Sequence, residues 1–121
     1  MEERRKFFRL NTDVDITYAK HDVSEKEKVT IAKNISKGGI CLVVHEEVKK
    51  SDLLDLKIYL PKTETPISTL GKVVWVNELL FGGFGGVPQR KRYDAGIEFV
   101  KIADEDVNKI GKYIFTIIEQ S

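Results

Sequence analysis

The sequence has few of the residues from which disulfides, metal sites and membrane spans are built. Its 121 residues include one cysteine and two histidines, which supply neither an internal disulfide nor a zinc cluster. No apolar run approaches the ~20 residues of a transmembrane helix, and the charged start leads into no apolar stretch typical of a secretory signal. We therefore expect one cytoplasmic domain with no metal, no cofactor and no membrane insertion.

The sequence also lacks a marked excess of basic over acidic residues, or of acidic over basic ones. Twenty Lys and Arg residues stand against nineteen Asp and Glu residues, which leaves a formal net charge of +1. Nucleic-acid-binding domains are usually strongly basic, so the balance disfavours a small nucleic-acid-binding barrel, and no nucleic acid is expected as a partner. An enzyme is disfavoured too, because two isolated histidines and one cysteine supply no nucleophile–base pair. No catalytic residue is predicted.

Most of the chain alternates apolar and polar residues with a period of two, which is typical of strands that bury one face. In the last run, Asp94 and Glu98 fall on the polar face. Six such runs, separated by turn residues, begin at Val14, Val29, Ile40, Leu54, Leu70 and Tyr93. Six short strands favour a small antiparallel barrel or a sandwich.

The final segment changes to a helical period. Asp104 can cap the helix, and Glu105 and Asp106 suit the positive end of its dipole. Apolar residues then recur three or four positions apart, on one side of the helix: Val107, Ile110, Ile114 and Ile117. The pattern predicts an all-β core followed by one amphipathic helix.

The N-terminal arm, residues 1–12, is the first segment outside this pattern. Its basic side chains are Arg4, Arg5, Lys6 and Arg9. Arginine suits phosphates and flat rings, because its planar fork donates in pairs and stacks on π-faces. Arg5 and Arg9, four positions apart, can hold one ligand between them. The alternative is a solvated tail.

The second segment, Asn34-Ile35-Ser36-Lys37-Gly38-Gly39, lies between two predicted strands. Asn and Ser side chains bond to nearby backbone groups in turns, and glycine lets a planar ligand approach the main chain. Asn34 and Ser36 can direct polar groups at such a ligand. Taken alone, the segment is an ordinary hairpin turn.

Together the two segments read R-R-x-x-x-R and N-x-S-x-x-G, which resembles the signature of the PilZ domain family. Residues 71–76 and 94–100 look like later strands of that family, and the resemblance covers roughly residues 4–118. It implies an all-β fold: a six-stranded antiparallel β-barrel with a C-terminal amphipathic helix. Residues 1–12 would form the ligand-binding arm, and residues 13–121 the barrel and helix.

The resemblance also implies a function. Members of this family are non-enzymatic receptors or adaptors for the bacterial second messenger cyclic di-GMP, with roles such as motility or biofilm regulation. By resemblance, Arg5 and Arg9 would hold the phosphates and guanines, while Asn34, Ser36 and Gly39 would form the opposing side on the barrel.

Arg4 is a further candidate, because the residue before the first motif arginine is associated in this family with one ligand or a stacked pair. Ligand binding would order the arm, and a downstream protein, which the sequence does not identify, would recognise the new surface. The alternative function is a protein-interaction barrel with a vestigial nucleotide site. The oligomeric state is left open.

The remaining candidates receive simpler interpretations. A tryptophan in a strand usually belongs to the core, so Trp75 is expected there, and stacking on a ligand is the alternative. Cys41 is expected to be a buried structural thiol. His21 is expected at the surface without a carboxylate partner. Arg92 is left open between a phosphate contact and a solubilising residue.

The glycine-rich residues 81–88 lack the Lys-Ser or Lys-Thr and the following helix of a P-loop. They are therefore interpreted as a mobile connection that can border the ligand.

Overall fold

The computed structural model describes residues 10–119, apart from the side chain of Asn11. These residues form six strands and one helix, in the order β1 (Leu10–Lys20), β2 (Lys28–Ile35), β3 (Gly39–Val44), β4 (Leu53–Tyr59), β5 (Ile67–Phe81), β6 (Arg90–Lys101) and α1 (Asp104–Glu119). The predicted strand count and terminal helix are confirmed.

All neighbouring strands are antiparallel, and the sheet closes in the order β1-β2-β3-β6-β5-β4. The barrel is therefore the correct choice between the two architectures that the alternation allowed. Its interior is filled by alternate side chains of each strand, as the period of two requires. The largest fully buried side chains are Ile16, Ile35, Ile40, Leu42, Leu54, Leu56 and Ile58 of the strands and Ile110 of α1.

Helix α1 packs against the barrel core through Ile110 and Ile114, which belong to the same apolar cluster. Its start is fixed by backbone hydrogen bonds from Asp106 and Val107 to the carbonyl of Ala103, and three acidic residues occupy its first turn. Among residues 10–119, no helix combines the length and apolar character needed to cross a bilayer.

Strand β1 begins at Leu10, so residues 10–12, which the sequence analysis assigned to the arm, lie in the barrel. Leu10 pairs with Ile35 at the end of β2. A register shift between Asn11 and Val14 interrupts the alternation at this point, which hides the start of the strand in the sequence. The described chain thus enters the barrel beside the Asn34–Gly39 turn.

Strands β5 and β6 continue beyond the barrel as a two-stranded ribbon. β4 pairs with β5 only as far as Lys72, and β3 pairs with β6 only from Tyr93 onward, whereas β5 and β6 stay paired to Phe81 and Arg90. The connection therefore begins at Gly82, one residue later than predicted, because Phe81 still belongs to the ribbon.

Candidate ligand-binding surface

The turn between β2 and β3 is held by Ser36, which is 5% exposed. Its hydroxyl oxygen accepts hydrogen bonds from the backbone N–H groups of Gly38 and Gly39, at 3.2 and 3.1 Å. The N–H of Ser36 donates to the carbonyl of Gly39 at 2.9 Å, and Phe99 of β6 donates to the carbonyl of Gly38 at 3.0 Å. Ser36 therefore fixes the shape of the turn.

Gly39 meets a different requirement, which is the close approach of two strands. A Cβ atom at this position would overlap the carbonyl oxygen of Ile97 on β6. Only a residue without a side chain lets β3 and β6 pair at this point. Gly39 thus shapes the surface, and it is itself buried.

Asn34 is the motif residue with unused bonding capacity. Its side-chain oxygen Oδ1 is buried and has no hydrogen-bond partner among residues 10–119. An unpaired buried acceptor costs about 1–3 kcal/mol, so this oxygen can receive a donor from a ligand. The turn therefore holds its shape through Ser36 and Gly39 and offers an acceptor through Asn34.

Four residues in register form a row across four adjacent strands: Asn34 of β2, Cys41 of β3, Gly96 of β6 and Trp75 of β5. None of the four belongs to the apolar core cluster. Cys41 is 5% exposed and Trp75 is 40% exposed. We call this feature the Asn34–Trp75 row. It places an indole and an amide on one outer face of the barrel.

The expectation that Trp75 belongs to the core is wrong. Val73 is fully buried, and strict alternation would bury Trp75 as well. A register shift in β5 between Val73 and Trp75 turns the indole to the outside. There it lies against Gly96, where a Cβ atom would overlap the indole nitrogen Nε1. The missing side chain at Gly96 lets the ring lie close to the sheet.

A charged cluster lies beside the row. The carboxylate of Asp94 lies 3.0 Å from Lys33 Nζ of β2 and 3.4 Å from Arg92 Nη2. The guanidinium of Arg92 also lies 5.3 Å from the ring centroid of Phe81. The alternation placed Asp94 on the polar face, but Asp94 is only 7% exposed. Its two basic neighbours cover it, which the alternation cannot show.

Unpaired polar atoms are concentrated on this outer face. Within residues 10–119, four buried side-chain polar atoms lack a hydrogen-bond partner, and three of them lie here: Asn34 Oδ1, Arg92 Nε and Asp94 Oδ1. Asp94 Oδ1 is near enough to Arg92 Nη2 for charge attraction but forms no hydrogen bond with it. Folded proteins pair nearly all such atoms, so a cluster of unpaired ones is a candidate ligand site.

The three arm arginines that the sequence analysis singled out, Arg4, Arg5 and Arg9, lie outside the described residues. Asn34, Ser36 and Gly39 come together at the β2–β3 turn. Sequence reasoning favoured a core position for Trp75 over stacking on a ligand, and it did not single out Gly96. The spacing carries no signal for them, because the register shift in β5 decides which way the indole points. Within residues 10–119, no group of His, Cys, Asp and Glu is arranged to hold a metal ion.

Comparison with known proteins gives a family match. The model of the PilZ domain matches residues 3–116. No curated protein sequence matches the chain.

Solved structures share the fold. Inhibitor of motility, MotI/DgrA, from Bacillus subtilis is 24% identical with a TM-score of 0.73, and the match covers 99% of this chain and 54% of MotI. The complex of MrkH from K. pneumonia with c-di-GMP is 17% identical with a TM-score of 0.75, over 98% of this chain and 53% of MrkH. This chain therefore spans about half the length of either protein.

The PilZ domain of YcgR from Escherichia coli, solved with c-di-GMP, is 12% identical with a TM-score of 0.69. That match covers 98% of this chain and 94% of the YcgR domain. At these identities the structural matches establish the fold.

Proposed function

The chain belongs to the PilZ domain family, and on that premise we propose that it is a non-enzymatic receptor for cyclic di-GMP. The ligand would bind on the outer face crossed by the Asn34–Trp75 row. The observation that carries the proposal is the concentration of three unpaired buried polar atoms on that face. Structural relatives solved with c-di-GMP, MrkH and the YcgR PilZ domain, support the identity of the ligand.

The chemistry of the ligand fits the groups on this face. Cyclic di-GMP presents two phosphates, two flat guanines and the N–H donors of each guanine. Asn34 Oδ1 is an unpaired acceptor for such a donor. The exposed indole of Trp75 can stack on a base, an interaction worth about 1–3 kcal/mol. Arg92 Nε, also unpaired, can donate to a phosphate oxygen.

The motif residues would take two kinds of role. Ser36 and Gly39 would act by shaping the turn, since the hydroxyl of one is used in backbone hydrogen bonds and the other is buried. Arg5 and Arg9 would contact phosphates and the O6/N7 edges of guanine, the edge for which arginine is the preferred partner. Arg4 would bear on whether one ligand or a stacked pair is held.

The signal would be a change in the arm. The described chain enters the barrel at Leu10, which pairs with Ile35 next to the motif turn. A ligand held by Arg5, Arg9 and Asn34 would therefore tie the arm to the barrel face and create a new surface for a downstream protein. MotI is an inhibitor of motility, and regulation of motility or biofilm formation is the process we propose for this chain.

Calorimetric titration with cyclic di-GMP tests the receptor. The wild-type protein, Arg9→Ala and Trp75→Ala would be compared with Phe115→Ala, a control in α1 whose side chain is 61% exposed. We expect Arg9→Ala to lose ~10-fold or more in affinity, because charge-assisted bonds contribute about 1.5–3 kcal/mol. Trp75→Ala should lose about 5- to 150-fold, because base stacking contributes ~1–3 kcal/mol. The control should bind like wild type. A cooperatively unfolding wild type that gives no heat would favour the interaction barrel with a vestigial site.

A further inference from the structure

The tip of the β5–β6 ribbon carries exposed apolar side chains that the receptor function does not use. Four large ones lie within eight residues, with exposed fractions of 55% for Leu80, 48% for Phe81, 83% for Phe84 and 58% for Val87. Soluble proteins expose single apolar residues routinely, but a contiguous group marks an interaction site.

The tip is a turn that backbone hydrogen bonds hold in place. The N–H of Val87 donates to the carbonyl of Phe84 at 2.9 Å, and the N–H of Gly83 donates to the carbonyl of Val87 at 2.8 Å. Gly85 and Gly86 between them have φ values of 54° and 82°, the left-handed pair that a two-residue hairpin turn requires. The interpretation of this segment as a mobile connection overlooked these bonds. They fix Phe84 and Val87 at the apex.

Basic residues lie behind the apolar apex of the ribbon. Residues 82–88 contain no polar side chain; Gln89 follows, and Arg90, Lys91 and Arg92 come after it, with Glu78 as the acidic residue of the opposite strand. Lys91 Nζ lies 3.7 Å from Glu78, and Arg92 is engaged by Asp94. The ribbon thus ends in an apolar apex with a net basic collar behind it.

We propose that this hairpin tip binds reversibly to an anionic lipid surface, with Phe84 and Val87 entering the interfacial region and the basic collar facing the headgroups. Apolar groups at the front and cations behind them match the depth profile of a bilayer surface. A protein interface would normally place several hydrogen-bonding side chains around the apolar anchor to fix its orientation; residues 82–88 have none, and Gln89 beside Gly83 is the one that adjoins them. The contact is peripheral, so it differs from a membrane-spanning segment.

The backbone of the apex suits such an environment. Two of its backbone hydrogen bonds close within the loop, which reduces the cost of leaving bulk water. A Cβ atom at Gly85 or Gly86 would meet nothing within 4 Å, so no other part of the described chain covers this side of the turn. Phe84 and Val87 are therefore available to a surface approaching from outside.

Flotation of the full chain with vesicles tests the proposal. The probes are vesicles of phosphatidylcholine alone and vesicles of equal parts phosphatidylcholine and phosphatidylglycerol. We expect binding to the anionic vesicles, weakened by added salt. Phe84→Ser should lower the bound fraction at least ~10-fold, while Phe115→Ser, which removes another exposed ring from α1, should leave it unchanged. Lys91→Gln should weaken binding, and Lys26→Gln, a charge control in the β1–β2 loop, should not.

Three results would overturn the proposal. The first is wild-type protein that binds neither kind of vesicle. The second is binding to anionic vesicles that Phe84→Ser does not reduce, because other basic groups would then account for the attraction. A wild-type dimer that becomes monomeric in Phe84→Ser, without vesicle binding, would show that a second copy covers the tip. Phe84→Ser is expected to bind cyclic di-GMP like wild type, so the lipid test and the receptor test fail independently.

Discussion

The substitution Gly96→Ala tests whether Trp75 acts in ligand binding or in packing of the fold. The nearest atoms to a Cβ at Gly96 all belong to the indole ring of Trp75. That ring is 40% exposed, so it can swing away from the sheet at a stability cost near the lower end of the ~1–3 kcal/mol range for overpacking. Losing the stacking platform should weaken cyclic di-GMP binding by about 5- to 150-fold, the equivalent of ~1–3 kcal/mol.

Gly39→Ala is the matched comparison, because the same added methyl group meets backbone instead of a side chain. The carbonyl of Ile97 lies in the way, and β3 and β6 would have to separate to admit the Cβ. We expect a loss of about 3 kcal/mol or more. At ~3–6 °C per kcal/mol for a chain of this size, that loss lowers the Tm by at least ~9 °C.

Thermal unfolding followed by circular dichroism and calorimetric titration with cyclic di-GMP, applied to both variants, check the reasoning. Gly96→Ala should lose affinity with a small change in Tm, and Gly39→Ala should lose stability first. If Gly96→Ala lowers the Tm as much as Gly39→Ala does, Trp75 is a packing residue and not a binding residue. Wild-type affinity in Gly96→Ala would equally refute a binding role for Trp75.

Other substitutions test the turn, the charged cluster and the surface histidine. Ser36→Ala removes the acceptor for two backbone N–H groups and should destabilise the protein by about 1–3 kcal/mol; urea unfolding that matches wild type would refute this. Asp94→Asn should weaken the hold on its two basic neighbours and change cyclic di-GMP affinity measurably, whereas an unchanged affinity would place the ligand elsewhere. The hydrogen bond to Asp55 raises the pKa of His21, so this pair stabilises the fold below the unfolded pKa of ~6.5 and loses the effect as pH rises through the folded pKa. An NMR titration in which Asp55→Asn leaves the His21 pKa unchanged would contradict this cause.

The alternation of apolar and polar residues predicted the strands well where each strand follows the period of two without interruption. Leu54, Leu56 and Ile58 on β4 are all buried in the core, as their spacing requires. The helical period likewise predicted the packing of Ile110 and Ile114 on the barrel. These features depend on local pattern alone, which a sequence displays directly.

The errors arise where an irregularity or a distant neighbour decides the outcome. The register shift in β5 turns Trp75 outward, and a single sequence gives no sign of it. Asp94 is buried by Lys33, which lies 61 positions away in the sequence. His21 was expected to lack a carboxylate partner, yet its Nδ1 lies 2.9 Å from Asp55 Oδ1 across the β1–β4 pairing. The orientation of Trp75, the burial of Asp94 and the partner of His21 all depend on how neighbouring strands pair.

The candidate site, too, could be predicted only in part from the sequence. The motif spacing predicted the turn that contains Asn34, Ser36 and Gly39, and all three lie together there. Which of the three has free bonding capacity depends on hydrogen bonds that the structure alone reveals: Ser36 is occupied within the turn, while Asn34 Oδ1 has no partner among the described residues. The parts played by Arg4, Arg5 and Arg9 stay a prediction.

The indole of Trp75 is the best probe of whether cyclic di-GMP binds on the face crossed by the Asn34–Trp75 row. The chain contains one tryptophan, so a nitrogen–proton correlation spectrum shows one indole N–H signal. We expect this signal to shift and saturate as cyclic di-GMP is added, in step with the heat of binding. Saturable heat with an indole signal that does not move would contradict the claim, because the ligand would then bind away from this face.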